Sequence, residues 1–194
     1  MRGAPAMDPT SESSSGRASG AAPPPRGRVL AAELVRRAED GRRLADEARS
    51  APTARARDRI AECHAGNGDA LRAIVTRHGW PTADSVGETA STAALMLLLH
   101  APDLGFQLSC RDLIAEAVAD GRCPAVHHAY IADHCAVALS QPQFYGTRIN
   151  PGTLFPYPIR HPETVDERRH DVGLGPLAEH LRAVRYGLGA SGGL

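Results

Sequence analysis

Between Glu88 and Ala101 the chain has almost no polar side. Ala90, Ala93, Ala94, Leu97 and Ala101 fall on one helical face, and Leu95, Met96, Leu98 and Leu99 occupy the rest. A helix that is apolar nearly all round is stable in water only when other elements surround it, so this spacing predicts a central helix with the remaining segments packed about it. Ser85-Val86-Gly87-Glu88 before it reads as a capping box. The run is too short to cross a bilayer, which takes ~20 apolar residues.

The flanking segments supply the surrounding layers. Met1 to Arg28 is rich in Gly, Ser, Pro and Ala, offers little apolar surface to offset the entropy of ordering, and reads as a disordered tail. From Val29, the residues Leu30, Leu34, Val35 and Ala38 line one face of an amphipathic helix, opposite Arg36, Arg37, Asp40, Arg42 and Arg43. Pro52 interrupts, and a short helix follows over Ala54–His64. Gly66-Asn67-Gly68 reads as a break, with Asp69 capping a further helix through Leu71, Ile74, Val75 and His78. Gly79 ends that helix, and Trp80 reads as a core residue packed against it. Beyond the central helix, Phe106, Cys110, Leu113, Ile114 and Ala117 share a face. Pro124 then opens a helix on which Val126, Ala129, Tyr130, Asp133 and Val137 align. One carboxylate thus falls among apolar neighbours.

After Leu139 the helical period stops, and residues 141–162 carry five prolines. Their Phe144, Tyr145, Leu154, Phe155, Tyr157 and Ile159 predict an arm docked on the core, longer than an ordinary connection. Thr164-Val165-Asp166-Glu167 reads as a second capping box, Gly173 and Gly175 as a break, and Pro176 as the start of a last helix with Leu177, Leu181 and Val184. The expected fold is all-α: one compact multi-helix domain over residues 29–186, with a long irregular arm, a disordered N-terminal tail over 1–28 and a flexible tail over 187–194.

Composition removes whole classes of function. Lysine is absent, so all 22 basic residues are arginine, which excludes a Walker-type phosphate loop, a Schiff-base mechanism and a pyridoxal enzyme. The formal net charge of +0 gives no field to gather nucleic acid or an anionic membrane. Cys63, Cys110, Cys123 and Cys135 show neither Cys-x-x-Cys pairing nor zinc-finger spacing, and read as small core residues of a cytoplasmic protein. Cys123, His127, His128, Asp133, His134 and Cys135 invite a metal, but His127 and His134 lie two helical turns apart and His127 and His128 diverge, so no metal or cofactor is expected. Arg168-Arg169 reads as solvated charge on a surface helix.

The order and spacing of His78-Gly79-Trp80-Pro81, Val86-Gly87, His100-Ala101, Phe106-Gln107, Ala129-Tyr130-Ile131-x-Asp133 and Pro142-Gln143-x-Tyr145-Gly146-Thr147 carry a resemblance. So do Val165-Asp166-Glu167-Arg168-Arg169 and Val172-Gly173-Leu174. Over roughly Val29 to Arg185 the chain resembles an uncharacterised, largely actinobacterial domain family of unknown function. The resemblance implies a fold unit and candidate positions without an activity. That family usually has Gln before the helix-end His, Arg after the Asp and Gln after Tyr-Gly-Thr; here those places hold Leu99, His134 and Arg148.

Candidate chemistry gathers on four side chains. His100 at a helix end and Asp133 near the interior are the ingredients of an oriented general base, the carboxylate fixing the imidazole tautomer. Tyr145 supplies a proton or hydrogen bond, while Arg148, joined by Gln107 from the resemblance, binds a ligand. The plainer reading is structural: a buried Asp and His satisfy backbone groups, and Tyr-Gly-Thr is a turn locked on the core. Two classes stay open. One is an enzyme or binding domain for a small anionic or amide-containing ligand; the other is a non-catalytic module contacting a partner protein. Exposed Phe155 and Tyr157 favour the module, and a pocket shared by His100, Asp133 and Tyr145 favours the site.

Overall fold

The computed structural model describes residues 25–187, so the tails expected over 1–28 and 187–194 lie outside it except for residues 25–28, which are helical, and Gly187. Helix α1 spans Pro25–Ser50 and starts four residues before the expected Val29; α2 spans Ala54–His78. Then come α3 (Ala83–Val86), α4 (Glu88–His100), α5 (Leu104–Ala119) and α6 (Ala125–Ala138). After the arm, a single 3-10 turn at Pro162–Thr164 leads into α7 (Val165–Asp171) and α8 (Leu177–Arg185). No strand forms among the described residues; two isolated bridges, Gln143 with Ile159 and Ile149 with Pro156, pin the arm to itself.

Helix α4 is central. It touches α1, α2, α3, α5 and α6, and Ala94, Leu95 and Leu98 are fully buried. Leu34 of α1, Leu71 of α2, Ile114 of α5 and Ile131 of α6 complete the same core, where burial of each large apolar side chain contributes about 1.5–3 kcal/mol. Trp80 is buried in this core, as its position after α2 predicts. Cys110, Cys123 and Cys135 are buried and free, and burial pushes the Cys110 thiol up to about 12. No described helix is long and apolar enough to cross a membrane.

The expected break at Gly66-Asn67-Gly68 does not occur, because α2 runs straight through it. The small residues serve packing instead. A Cβ on Gly68 would lie 3.3 Å from the Cβ of Ala101. Buried Asn67 accepts from Arg37 Nη1 at 3.3 Å and donates to the Arg37 carbonyl at 3.5 Å, linking α2 to α1. Glycine costs a helix about 1 kcal/mol, and close approach to the end of α4 offsets it. Gly68→Leu should therefore lower stability by roughly 2 kcal/mol through overpacking. An unchanged thermal midpoint, followed by Trp80 fluorescence, would place Gly68 at an open break after all.

Neither capping box forms. Ser85 lies inside α3, its hydroxyl donating to the Thr82 carbonyl at 2.9 Å, and α4 starts from Gly87, whose φ of 87° turns the chain between the two helices. The Thr164 hydroxyl accepts from Arg168 Nη1 at 2.6 Å, a bond that competes with capping α7. Asp103, just beyond the end of α4, caps α5 by accepting from Phe106 N at 2.9 Å. That bond, followed by the Arg72 guanidinium, holds its carboxyl below the usual range.

Candidate functional site

Asp133 organises the far side of the core. It shares an α6 face with Ala129 and Tyr130, and its side chain is fully buried. All its hydrogen-bond partners belong to the arm. Phe144 N donates to Oδ1 at 2.7 Å, Tyr145 N to Oδ1 at 3.1 Å, and Thr147 N and Oγ1 to Oδ2 at 2.9 and 3.0 Å. An ionised carboxylate survives burial only with such donors, and here the donors are the backbone of a turn. Gly146 lets the turn close: its φ is 69°, and a Cβ there would meet Ile159 Cδ1 and Leu177 Cδ1 at 2.9 Å each.

Three further side chains grip the same segment. Gln143 is fully buried, donates from Nε2 to the carbonyls of Arg148 and Tyr157 at 2.9 Å each, and accepts from Arg148 N at 2.9 Å. Arg169, 2% exposed, donates to the carbonyls of Tyr145 at 2.7 Å and Gly175 at 2.6 Å. Arg168 donates to the carbonyls of Phe144, Arg160 and His161. The reading of Arg168-Arg169 as solvated charge is therefore corrected: both guanidinium groups cap arm carbonyls, because an irregular segment leaves carbonyls that no helix satisfies. The docking of the arm is likewise largely polar. Phe144 and Leu154 stay partly exposed, and Phe155 is 60% exposed.

The sequence candidates separate into two groups. Asp133 and Tyr145 meet through the Tyr145 backbone N–H, while burial and then Asp133 raise the Tyr145 hydroxyl's pKa. His100 is exposed at the end of α4, its Nδ1 is 2.8 Å from the Met96 carbonyl, and its ring centroid is 4.7 Å from that of His64. The pKa of His134 on α6 is lowered to about 4 by burial, then by the charges of Arg148 and His100. Among the described residues no hydrogen bond or ion pair joins His100 to Asp133. Gln107 is buried and donates to the carbonyls of Leu98 and Ala101, at 3.0 Å each, supporting the helix end that carries His100.

The histidines make the fold acid-sensitive. Burial lowers the pKa of His64, His127, His128, His134 and His180. For a base with a depressed folded pKa, the unfolded chain binds protons first. The contribution of His134 is complete above its unfolded value, near 6.5, and is lost as pH falls from there toward about 4. We expect stability to drop between pH 7 and 4.5, with His134 contributing about 1–2 kcal/mol after allowance for its partial exposure. His134→Gln should flatten that slope in urea melts across the range; an identical slope in the variant would remove His134 as a cause.

No curated protein and no solved structure matches this chain. A profile described as "Family of unknown function (DUF6624)" matches residues 31–191, which takes in α1 from residue 31 onward, all of α2 to α8, the arm and its clamp. The chain belongs to this family of unknown function.

Proposed function

We propose that this is a non-catalytic helical interaction module whose arm is the contact element. The observation that supports it is the 60% exposure of Phe155 on a segment whose base is clamped by Asp133, Gln143, Arg168 and Arg169. A rigidly held loop presenting an aromatic side chain loses little entropy when a partner covers it. On this reading Asp133 and Tyr145 belong to the clamp. Arg185 stacks on the Phe155 ring at 5.1 Å and Arg160 on Phe144 at 4.8 Å, so the fitting partner is a protein segment with apolar side chains beside carboxylates.

The test places a photo-crosslinking benzophenone residue at position 155, and as a control at exposed Arg57 on α2, in the cells that make the protein. Adducts to another protein at 155 and none at 57 are expected. Equal yields at the two positions would sink the proposal, and adducts confined to copies of the chain itself would make the face a self-association surface.

A further inference from the structure

We infer that the groove between α5, α6 and the base of the arm binds a small apolar carboxylate, with Arg111 on the charge and Ala132, Ala136, Leu139 and Phe144 around the hydrocarbon. The groove has a volume of about 230 Å³, and His128 and Gln141 complete its lining. His128, Ala132 and Ala136 recur every fourth residue of α6 and so form one line along the helix, where the two alanines leave space that larger side chains would fill. Leu139 and Phe144 form the remaining apolar wall. They are 42% and 38% exposed, so hydrocarbon lines a concave surface that is open to water.

The clamp on the arm holds this wall in place. Phe144 N donates to Asp133 at 2.7 Å, the Phe144 carbonyl accepts from Arg168 at 3.0 Å, and Arg160 stacks on the ring at 4.8 Å. A wall fixed in this way loses little entropy when a ligand packs on it. The polar lining, by contrast, is unanswered. The side chains of His128 and Gln141 make no hydrogen bond among the described residues. Arg111 uses Nε and Nη2 on Asp112 Oδ1, at 2.9 and 2.8 Å, and Nη1 has no partner among the described residues. Asp112 is 67% exposed, so water screens that pair and the guanidinium keeps a field toward the groove.

Charge and size narrow the class. Arg111 brings a positive charge to the lining, and no lining residue brings a negative one. Burial, then the charge of Arg111, lowers the His128 pKa, so near pH 7 that ring is neutral and adds one N–H donor. Pockets for drug-sized ligands hold ~300–1,000 Å³, and this groove is smaller, which limits the occupant to about the size of phenylacetate or hexanoate. A bare inorganic anion would leave the four apolar side chains in water, and an uncharged hydrocarbon would leave the guanidinium against apolar atoms. A carboxylate on a short apolar body answers both. The site does not depend on Phe155.

Titration of the isotopically labelled full chain with phenylacetate, hexanoate, hexanamide and acetate, followed by amide chemical shifts, tests this. Phenylacetate and hexanoate should move the amides of Ala132, Ala136, Leu139 and Phe144 saturably, at roughly millimolar concentration for ligands of this size. Hexanamide, without the charge, and acetate, without the hydrocarbon, should each bind at least several-fold more weakly. Ala132→Leu fills the floor of the groove and should weaken hexanoate binding by about tenfold or more. Arg111→Gln should weaken hexanoate several-fold and leave hexanamide unchanged, a split that a merely structural role of Arg111 would not produce. The control Arg57→Gln on α2 should change nothing, and Trp80 fluorescence melts establish that each variant is folded. Saturable shifts confined to the tip of the α1–α2 hairpin, where Arg55 and Arg59 line a second groove, would overturn the inference. So would hexanamide binding as tightly as hexanoate, equal hexanoate affinity in wild type and folded Ala132→Leu, or no saturable shift at about 20 mM phenylacetate.

Discussion

Asp133→Ala should lower the stability of the domain by about 2–4 kcal/mol, the scale for stranding buried donors whose charged partner is removed. Three backbone N–H groups and the Thr147 hydroxyl lose their acceptor together, and a methyl group replaces a carboxylate at a site with no exposure. The loss should be local first, because α6 retains Ile131 and Cys135 in the core while the arm loses its anchor. Trypsin offers a second readout, since a chain without lysine is cut only after arginine. Cleavage after Arg148 and Arg160 should accelerate in the variant well below its melting temperature. An unchanged midpoint together with an unchanged cleavage rate would show that the arm does not depend on Asp133.

Arg169→Met should cost a comparable amount, about 2–4 kcal/mol, by stranding the carbonyls of Tyr145 and Gly175. Arg169→Lys should recover only part of it, since one ammonium lacks the fork that reaches both oxygens. Arg169 and Asp133 also grip one peptide segment from two sides: the Tyr145 N–H goes to the carboxylate and the Tyr145 carbonyl to the guanidinium. The double variant should therefore lose less than the sum of the single losses, because once one grip is gone the other has less ordered chain to hold. Strict additivity in urea melts would mean the two residues stabilise separate parts of the fold. Both variants should also weaken crosslinking through position 155 if the clamped arm is the contact element.

Helix existence was readable from periodicity, and the places where it misled share one cause. Gly66-Asn67-Gly68 carries the composition of a turn, yet Gly68 admits Ala101 and Asn67 reaches Arg37, partners 30 or more residues away in the chain. Ser85 and Thr164 have the spacing of capping residues, but other partners, the Thr82 carbonyl and the Arg168 guanidinium, take their hydroxyls. Local pattern states what a side chain is able to do, and competition among partners decides what it does.

By itself the sequence determined the all-α class, the central place of α4, the burial of Trp80 and the burial of Asp133. Trp80 follows from its place just past a helix end and the others from hydrophobic periodicity, signals that act over a few residues and need no knowledge of the partner surface. Only the tertiary structure decided which groups answer Asp133, why Arg169 is buried, and that the His100 ring stacks on His64 with no hydrogen bond to Asp133. The physical reason is that hydrogen bonds and charges are short-ranged and directional. Two residues on one helix, Asp133 and His134, face different environments, and one residue of rotation about the helix axis separates an anchor for the arm from an imidazole whose Nδ1 is buried without a partner.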